Sequence, residues 1–287
     1  IYQCDWSSDV CSSDLKTYKL FIGGAFPRSE SGRTYVVNDS KRNFIANVAL
    51  ASRKDLRDSV VAAKNAFDGW SHATAYNRGQ IIYRIAEMME SRRGQFAAEI
   101  SALEGCSIAA AEKQISEAID LWVWYAGWTD KIHSFMGSTN PIAGPYYNFT
   151  SPDSLGVIGA IADQKSSLLG LVRSIAPIIA GGNTCIAIAS ERRPLPAISL
   201  AEVFATSDLP GGVVNILTGA QKELTPWLAS HMEIDGIDIS GVDKDNELEL
   251  RISGTENLKR IHRFTSDSPE RISAFLEFKT VWHPIGV

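Results

Sequence analysis

Short apolar runs alternate with amphipathic stretches along the second half of the sequence. Apolar runs bounded by turn residues predict buried strands, and the stretches between them carry apolar residues at helical spacing. The predicted strands are VIGAIA (157–162), TCIAIA (184–189), VVNILT (213–218), GIDIS (236–240) and KRIHRF (259–264), and the predicted helices cover 167–180, 195–206, 221–230 and 244–256. Because strand–helix–strand units connect by right-handed crossovers, they build a parallel sheet with helices on both faces. The sequence therefore predicts an α/β fold of the Rossmann type.

Other elements are predicted on either side of this region. The β-rich runs 19–26 and 33–39 predict an N-terminal hairpin, and YYNFTS (146–151) with LGVIGAIA (155–162) predicts a second hairpin over 146–162. Helices are predicted after Ser52, a candidate N-cap three residues before Asp55, and over 76–92 and about 109–135. Along the last run, AFLEFKTVWHP (274–284), two series of side chains alternate residue by residue, as they do on the two faces of a strand. It predicts a terminal strand that is exposed on one face and able to pair at an edge.

The first fifteen residues differ from the rest of the chain. From Cys4 to Leu15 they resemble one reading frame of a sequencing-adapter oligonucleotide, with SSDV followed by SSDL. Such segments are excluded from fold arguments. A metal site formed by Cys4, Asp5, Asp9 and Cys11 is the rival interpretation, but no His or further Cys nearby completes a coordination shell. We therefore divide the chain into a non-native segment 1–15, a main domain 16–265 and a C-terminal strand region 266–287.

Composition excludes several classes of function. The formal net charge is −5 for 287 residues, and no apolar stretch approaches the length of a membrane-spanning helix. Nucleic acids and anionic membranes are not expected partners, because both need a concentrated basic surface. Four cysteines are too few for a disulfide scaffold, and the N-terminus lacks a secretory pattern. We expect a cytoplasmic protein.

Three segments carry a resemblance to a known family. They are IAPIIAGGNT (175–184), SERRPLPAISLAEV (190–203) and LPGGVVNILTG (209–219). In order and spacing they resemble the NAD-binding domain of the aldehyde dehydrogenase superfamily, and FLEFKTVW (275–282) resembles the family's C-terminal oligomerisation strand. The overall pattern is most similar to the degenerate second half of family-16 aldehyde dehydrogenases. The resemblance implies a Rossmann-type domain with a small antiparallel oligomerisation arm, and we expect the family's catalytic domain to be absent.

The resemblance also implies where a cofactor would bind. Lys165 stands where the family has an Asn that donates to the reaction's oxyanion, and Ser190 and Glu191 remain from a Lys-Pro-Ser-Glu ribose-binding motif. Gly219 and Gly241 remain from two turns at the cofactor, but Val242 replaces the family's pyrophosphate-binding Ser. The sequence leaves open whether Lys165 fills the cleft, binds an anion or is an ordinary surface residue. We expect no cofactor, or NAD or NADP if one is retained.

No catalytic residue is predicted. Phe264 aligns with the family's general-base Glu, and we expect no counterpart of the domain that bears the family's nucleophilic Cys. Cys106 and Cys185 have no base nearby, and an apolar setting silences a thiol. The five histidines are scattered without metal-ligand spacing, so no metal site is expected.

These observations favour one function and leave two alternatives. The favoured function is a catalytically degenerate family member that docks through its strands on an active aldehyde dehydrogenase, or on a second copy of itself, and stabilises that partner. The alternatives are an NAD(P)-dependent aldehyde oxidoreductase and a nucleotide-binding module without catalysis.

Overall fold

The computed structural model describes residues 17–286, so the adapter-like segment 1–15 lies outside the described residues. Its strands are β1 Thr17–Tyr18, β2 Thr34–Asn38, β3 Phe44–Ala49, β4 Ser138–Thr139, β5 Tyr146–Ser154, β6 Val157–Ile161, β7 Thr184–Ile188, β8 Val214–Leu217, β9 Gly236–Asp238, β10 Arg260–His262 and β11 Leu276–Pro284. Its helices are α1 Arg53–Ser71, α2 Ala75–Ser91, α3 Arg93–Glu104, α4 Ile108–Ala126, α5 Ile132–Met136, α6 Leu169–Ala180, α7 Leu195–Phe204, α8 Gln221–Ser230, α9 Lys244–Thr255 and α10 Glu270–Ser273.

A five-stranded parallel sheet forms the centre of the fold. Its order is β10-β9-β6-β7-β8, and every residue of β6 and β7 is buried. Alternate strand residues face opposite sides: Ile158 and Cys185 pack with α4, α6 and α7, whereas Ile186 and Ile188 pack with α1 and α8. Both faces are thus covered by helices, and the predicted Rossmann-type α/β fold is confirmed.

The N-terminal hairpin predicted from the runs 19–26 and 33–39 is wrong. Strands β2 and β3 form the antiparallel pair, and β1 adds to β3 in parallel. Residues 19–26 contain only short bridges: Phe21 pairs with Ile216 of β8, and Ile22 pairs with Ala25. Within 19–26 only Leu20 and Phe21 are buried, and Phe21 extends the central sheet at β8 instead of pairing with 33–39.

The helical region is divided more finely than predicted. Ser52 caps α1 as expected, since its hydroxyl accepts from the backbone N–H of Asp55 while the Asp55 carboxylate accepts from that of Ser52. The range 109–135 contains two helices, α4 and α5, and the sequence missed α3 entirely. Helix α3 ends at Gly105, whose φ of 71° lies in the left-handed region that favours glycine at helix ends.

The predicted hairpin over 146–162 is wrong in its pairing, although both strands exist. Strand β5 pairs with β11 along its whole length and with the two-residue β4, whereas β6 belongs to the central sheet. We call the three-stranded antiparallel sheet β11-β5-β4 the arm sheet. Its strand β11 starts in the core, where Phe275 and Leu276 are buried, and is exposed from Phe278 onward. No helix among residues 17–286 is long and apolar enough to cross a membrane.

Candidate functional site

The predicted cofactor residues follow β6, β7, β8 and β9 at the carboxyl edge of the central sheet. In open α/β sheets, ligands bind in the crevice at this edge. We call the space between the turns after β6, β7 and β8 the crevice. Ser190 is buried there, Glu191 is exposed beside it, and Gly219 follows β8. The structure thus brings Ser190, Glu191 and Gly219 to one crevice, as the resemblance implies.

Two glutamines cross the crevice. The Oε1 of Gln164 accepts from the backbone N–H of Glu191 at 2.9 Å and from the Ser190 hydroxyl at 3.3 Å. The Nε2 of Gln221 donates to the carbonyl of Ala162 at 2.9 Å. Gln164, in the turn after β6, therefore binds the turn after β7, and Gln221, after β8, binds the chain just after β6. Together the two side chains bridge the crevice. Sequence reasoning did not give either glutamine this role.

Glu191 binds the N-terminus of α8. Its Oε2 lies 3.3 Å from the backbone nitrogen of Gln221, the first residue of that helix. Backbone N–H groups at a helix start have no intrahelical acceptor and attract negative charge, which is why such positions bind phosphate. Here the chain's own carboxylate fills that role.

Lys165, in the turn after β6, makes its hydrogen bonds through its backbone. Its backbone N–H donates to Oδ1 of Asp163 at 2.8 Å, and its carbonyl accepts from the Arg193 guanidinium. The residue is exposed, and its ammonium has no hydrogen bond to the described residues. Its exposure is typical of a surface lysine, and the three interpretations that the sequence left open stay predictions.

Close contacts between backbone segments explain why glycine stands at positions 219 and 241. Gly219 has a φ of +148°, and a Cβ there would lie 3.2 Å from the backbone nitrogen of Ala51. A Cβ on Gly241 would lie 2.3 Å from the carbonyl carbon of Ala162. The turn after β9 thus touches the backbone of the turn after β6, and only glycine permits that approach.

Comparisons with known proteins agree with this architecture. The family model described as "Aldehyde dehydrogenase family" matches residues 26–262. The chain belongs to the aldehyde dehydrogenase family. It is 32% identical over 244 residues to an aldehyde dehydrogenase of Emericella nidulans, covering 84% of this chain and 48% of the relative. It is 33% identical over 259 residues to retinal dehydrogenase 2 of Gallus gallus, covering 88% of this chain and 49% of the relative.

Solved structures of aldehyde dehydrogenases share the fold. The NAD+ complex of the Bacillus cereus enzyme has a TM-score of 0.81 and 25% identity, covering 89% of this chain and 52% of that one. A putative aldehyde dehydrogenase of Burkholderia cenocepacia has a TM-score of 0.83 and 27% identity, covering 87% and 50%. The chain spans about half the length of the curated relatives it matches.

The position that the family resemblance assigns to the general base holds no proton-transfer group. Phe264 follows β10, and its ring centroid lies 4.8 Å from the Arg271 guanidinium and 6.1 Å from the ring of Phe275. The backbone N–H of Phe264 donates to the Ser240 hydroxyl at 3.0 Å. An aromatic ring packed between a cation and a second ring has a structural role.

The two described cysteines, Cys106 and Cys185, differ in their burial. Cys185 is fully buried in β7, and burial, with a smaller effect of Asp238, raises the pKa of its thiol far above neutral pH. Cys106 is half-buried between α3 and α4, where its carbonyl accepts from the Ser101 hydroxyl at 2.7 Å. Among residues 17–286 no group of three His, Cys, Asp or Glu side chains could hold a metal ion.

Proposed function

We propose that the protein is a non-catalytic partner subunit of an active aldehyde dehydrogenase. The observation that carries the proposal is the occupation of the crevice by the chain's own groups. The Glu191 carboxylate binds the start of α8, while Gln164 and Gln221 bridge the turns around it. These residues do not fit a bound dinucleotide well, because Val242 offers no hydroxyl at the position of the family's pyrophosphate-binding Ser and the Glu191 carboxylate at the start of α8 would repel a phosphate.

The residues Phe264 and Cys185 support the same proposal. Phe264 cannot accept a proton, and the buried thiol of Cys185 stays protonated at neutral pH. The resemblance to the degenerate second half of family-16 enzymes agrees with a copy that has lost its chemistry. From its composition alone, we propose that the protein acts in the cytoplasm.

The arm sheet supplies the docking surface in this proposal. Strand β11 is an edge strand that pairs only with β5 among the described strands, so its other edge can accept a strand. Phe278, Val281 and Trp282 are between 41% and 59% exposed along it. The occupant is a catalytic aldehyde dehydrogenase subunit or a second copy of this chain, bound by strand addition.

Co-expression tests the proposal. The chain is produced with a catalytic aldehyde dehydrogenase from the same genome, and co-purification and the partner's thermal stability are measured. We expect the pair to co-purify, and we expect Trp282→Asp to separate it because a carboxylate would be buried in the interface. Trp227→Asp is the matched control, since Trp227 is also exposed, at 41%, but lies on α8. Absence of co-purification, with unchanged partner stability and activity, contradicts the proposal.

The alternatives predict different results for the purified chain. A nucleotide-binding module would release heat when titrated with NAD or NADP, and an aldehyde oxidoreductase would also oxidise aldehydes in a reaction lost in Cys106→Ala or Cys185→Ala. We expect neither heat nor turnover, because Val242 lacks the hydroxyl of the family's pyrophosphate-binding Ser and the Glu191 carboxylate at the start of α8 disfavours a phosphate there. Binding at micromolar cofactor would replace the proposed function by one of these alternatives.

A further inference from the structure

Strand β11 presents a short series of backbone hydrogen-bonding groups at its open edge. Beside its two ends, the carbonyl of Phe275 accepts from the N–H of Leu155, and the N–H of Ile285 donates to the carbonyl of Pro145. Because these groups alternate in direction along an antiparallel strand, odd-numbered residues of β11 face β5 and even-numbered residues face away from it. The open edge therefore consists of the backbone groups of Leu276, Phe278, Thr280, Trp282 and Pro284.

Both ends of this edge are closed to a further strand. At the start, Leu276 is only 2% exposed and its carbonyl accepts from the Arg260 guanidinium. At the other end, Pro284 has no N–H to donate. The remaining groups belong to Phe278, Thr280 and Trp282, whose N–H and C=O groups bond to no other described residue. These free groups are arranged symmetrically about the middle residue, at position 280.

A symmetric series of donors and acceptors matches a second copy of the same strand. When two β11 strands run antiparallel about a two-fold axis at Thr280, Phe278 of one strand faces Trp282 of the other, and the two Thr280 residues face each other. Each of these facing pairs exchanges both of its N–H···O=C hydrogen bonds. Every free backbone group of the open edge thus has a partner.

Neighbouring registers leave some of these groups unpaired. Moving the axis one residue toward the start of β11 places Trp282 opposite the buried Leu276 and sets the two Lys279 side chains against each other, a like-charge pair that destabilises a sheet. Moving it one residue toward the end places Phe278 opposite Pro284, so the carbonyl of Phe278 has no donor. The central register is therefore favoured over both.

The side chains also suit the central register. Phe278 is 49% exposed and Trp282 is 59% exposed, and two such aromatic pairs would be covered across the axis. On the other face of the strand, Glu277 comes opposite His283, and Lys279 comes opposite an apolar residue. Like charges therefore do not face each other between the two strands.

We propose that two copies of this chain form a dimer by joining their arm sheets through β11, in the register centred on Thr280. The two three-stranded sheets then form one continuous antiparallel sheet across the two-fold axis. This inference deepens the proposed function and rests on the docking role that it gives to the open edge of β11. A catalytic aldehyde dehydrogenase that adds a strand there must first displace the second copy.

Sedimentation equilibrium of the purified full chain, without any other protein, tests the dimer. We expect a monomer–dimer equilibrium with a Kd in roughly the micromolar range, because an interface of one short strand is small. Thr280→Pro should weaken the dimer by roughly tenfold or more, since it removes the central N–H, and the pairing with β5 should persist because that N–H faces away from β5. Thr280→Ala is the matched control, because it keeps the N–H while also losing the hydroxyl that bonds to Thr150.

Cross-linking tests the register. The two Thr280 Cα atoms would lie about 5.5 Å apart, within the range of a disulfide, so Thr280→Cys should form a dimer on oxidation, identified by mass spectrometry of the linked peptide. Phe278→Cys is the control, since its two copies would lie at least about 13 Å apart along the strands. No dimer up to roughly millimolar concentration, equal dimerisation of Thr280→Pro and Thr280→Ala, or equal cross-linking of the two cysteine variants overturns the proposal.

These results are separate from the test of the proposed function. Co-purification with a catalytic aldehyde dehydrogenase, found for a chain that stays monomeric by itself, overturns the dimer and leaves the proposed function in place. A dimer with the expected cross-link, formed by a chain that never co-purifies with such an enzyme, supports the pairing and contradicts the proposed function.

Discussion

One buried carboxylate, Asp55, holds two separate segments of the chain at the start of α1. Its Oδ2 accepts from the backbone N–H of Ser52 at 2.7 Å and from the Ser29 hydroxyl at 2.8 Å, and its Oδ1 accepts from the backbone N–H of Glu30 at 2.9 Å. The side chain therefore completes a capping box and also fixes the loop before β2. Hydrogen bonds to a charged acceptor stabilise more than neutral ones.

Replacing Asp55 should destabilise the protein measurably. We expect Asp55→Ala to lower the free energy of unfolding by about 2–4 kcal/mol, because the cap is lost and three donors lose their acceptor. Urea denaturation followed by circular dichroism measures the change. Asp58→Ala on the same helix is the control, since Asp58 is about half exposed and lies 3.5 Å from the Arg57 guanidinium. Equal effects of the two substitutions would contradict the role given to Asp55.

At the same scale, the sequence predicted part of the candidate site. Ser190, Glu191 and Gly219 meet at the crevice because their positions follow from the family pattern and from the strand ends. The roles of Gln164 and Gln221 were not predictable, since an amide side chain has no sequence signature and its partners lie on other turns.

At the scale of elements, β11 has one end in the core and the other in solvent. The Phe275 side chain, just before the strand, is 1% exposed, and a Cβ on Gly236 of β9 would lie only 2.9 Å from its ring. Phe278, two residues into the strand, is 49% exposed. The strand is thus attached to the central sheet at its start, and the rest is held mainly by pairing with β5.

The same substitution at these two positions should give very different results. We expect Phe275→Ala to lower the free energy of unfolding by about 3–5 kcal/mol, because it leaves a cavity between the sheet and the helices. Phe278→Ala should lie within about 0.5 kcal/mol of the unsubstituted protein, as exposed substitutions usually do. Urea denaturation of both variants measures this. A large loss in Phe278→Ala would show that the exposed part of β11 is packed against something that stabilises the monomer.

Elements that depend on local sequence were predicted, and those that depend on distant pairing were not. The cap of α1 and the alternation from β6 to β10 are readable within a few residues. Strand β5 was assigned to the wrong partner because its true partner, β11, lies more than a hundred residues downstream. Residues 19–26 were misread for the same reason, since Phe21 pairs with Ile216 of β8. Helix α3 was missed because its apolar stripe is short and follows α2 directly.

At the scale of the whole molecule, the central sheet and the arm sheet differ in how they are held. Strands β6 and β7 are buried on both faces, whereas β11 is exposed beyond Glu277 and forms an open edge in the described chain. Local opening costs little free energy where few apolar contacts break. The arm sheet should therefore open more readily than the core, as a docking element must.

Amide hydrogen exchange should report this difference and identify the occupant of the open edge. In the isolated chain at low concentration, we expect amides of β7 to exchange only through global unfolding and those of β11 after Phe278 to exchange much faster. Adding a catalytic aldehyde dehydrogenase should slow exchange in β11 and leave β7 unchanged, because strand addition protects only the edge that it covers. Protection that instead rises with the concentration of this chain alone would identify a second copy as the occupant. If neither the catalytic aldehyde dehydrogenase nor a higher concentration of this chain slows exchange in β11, docking through this edge is contradicted.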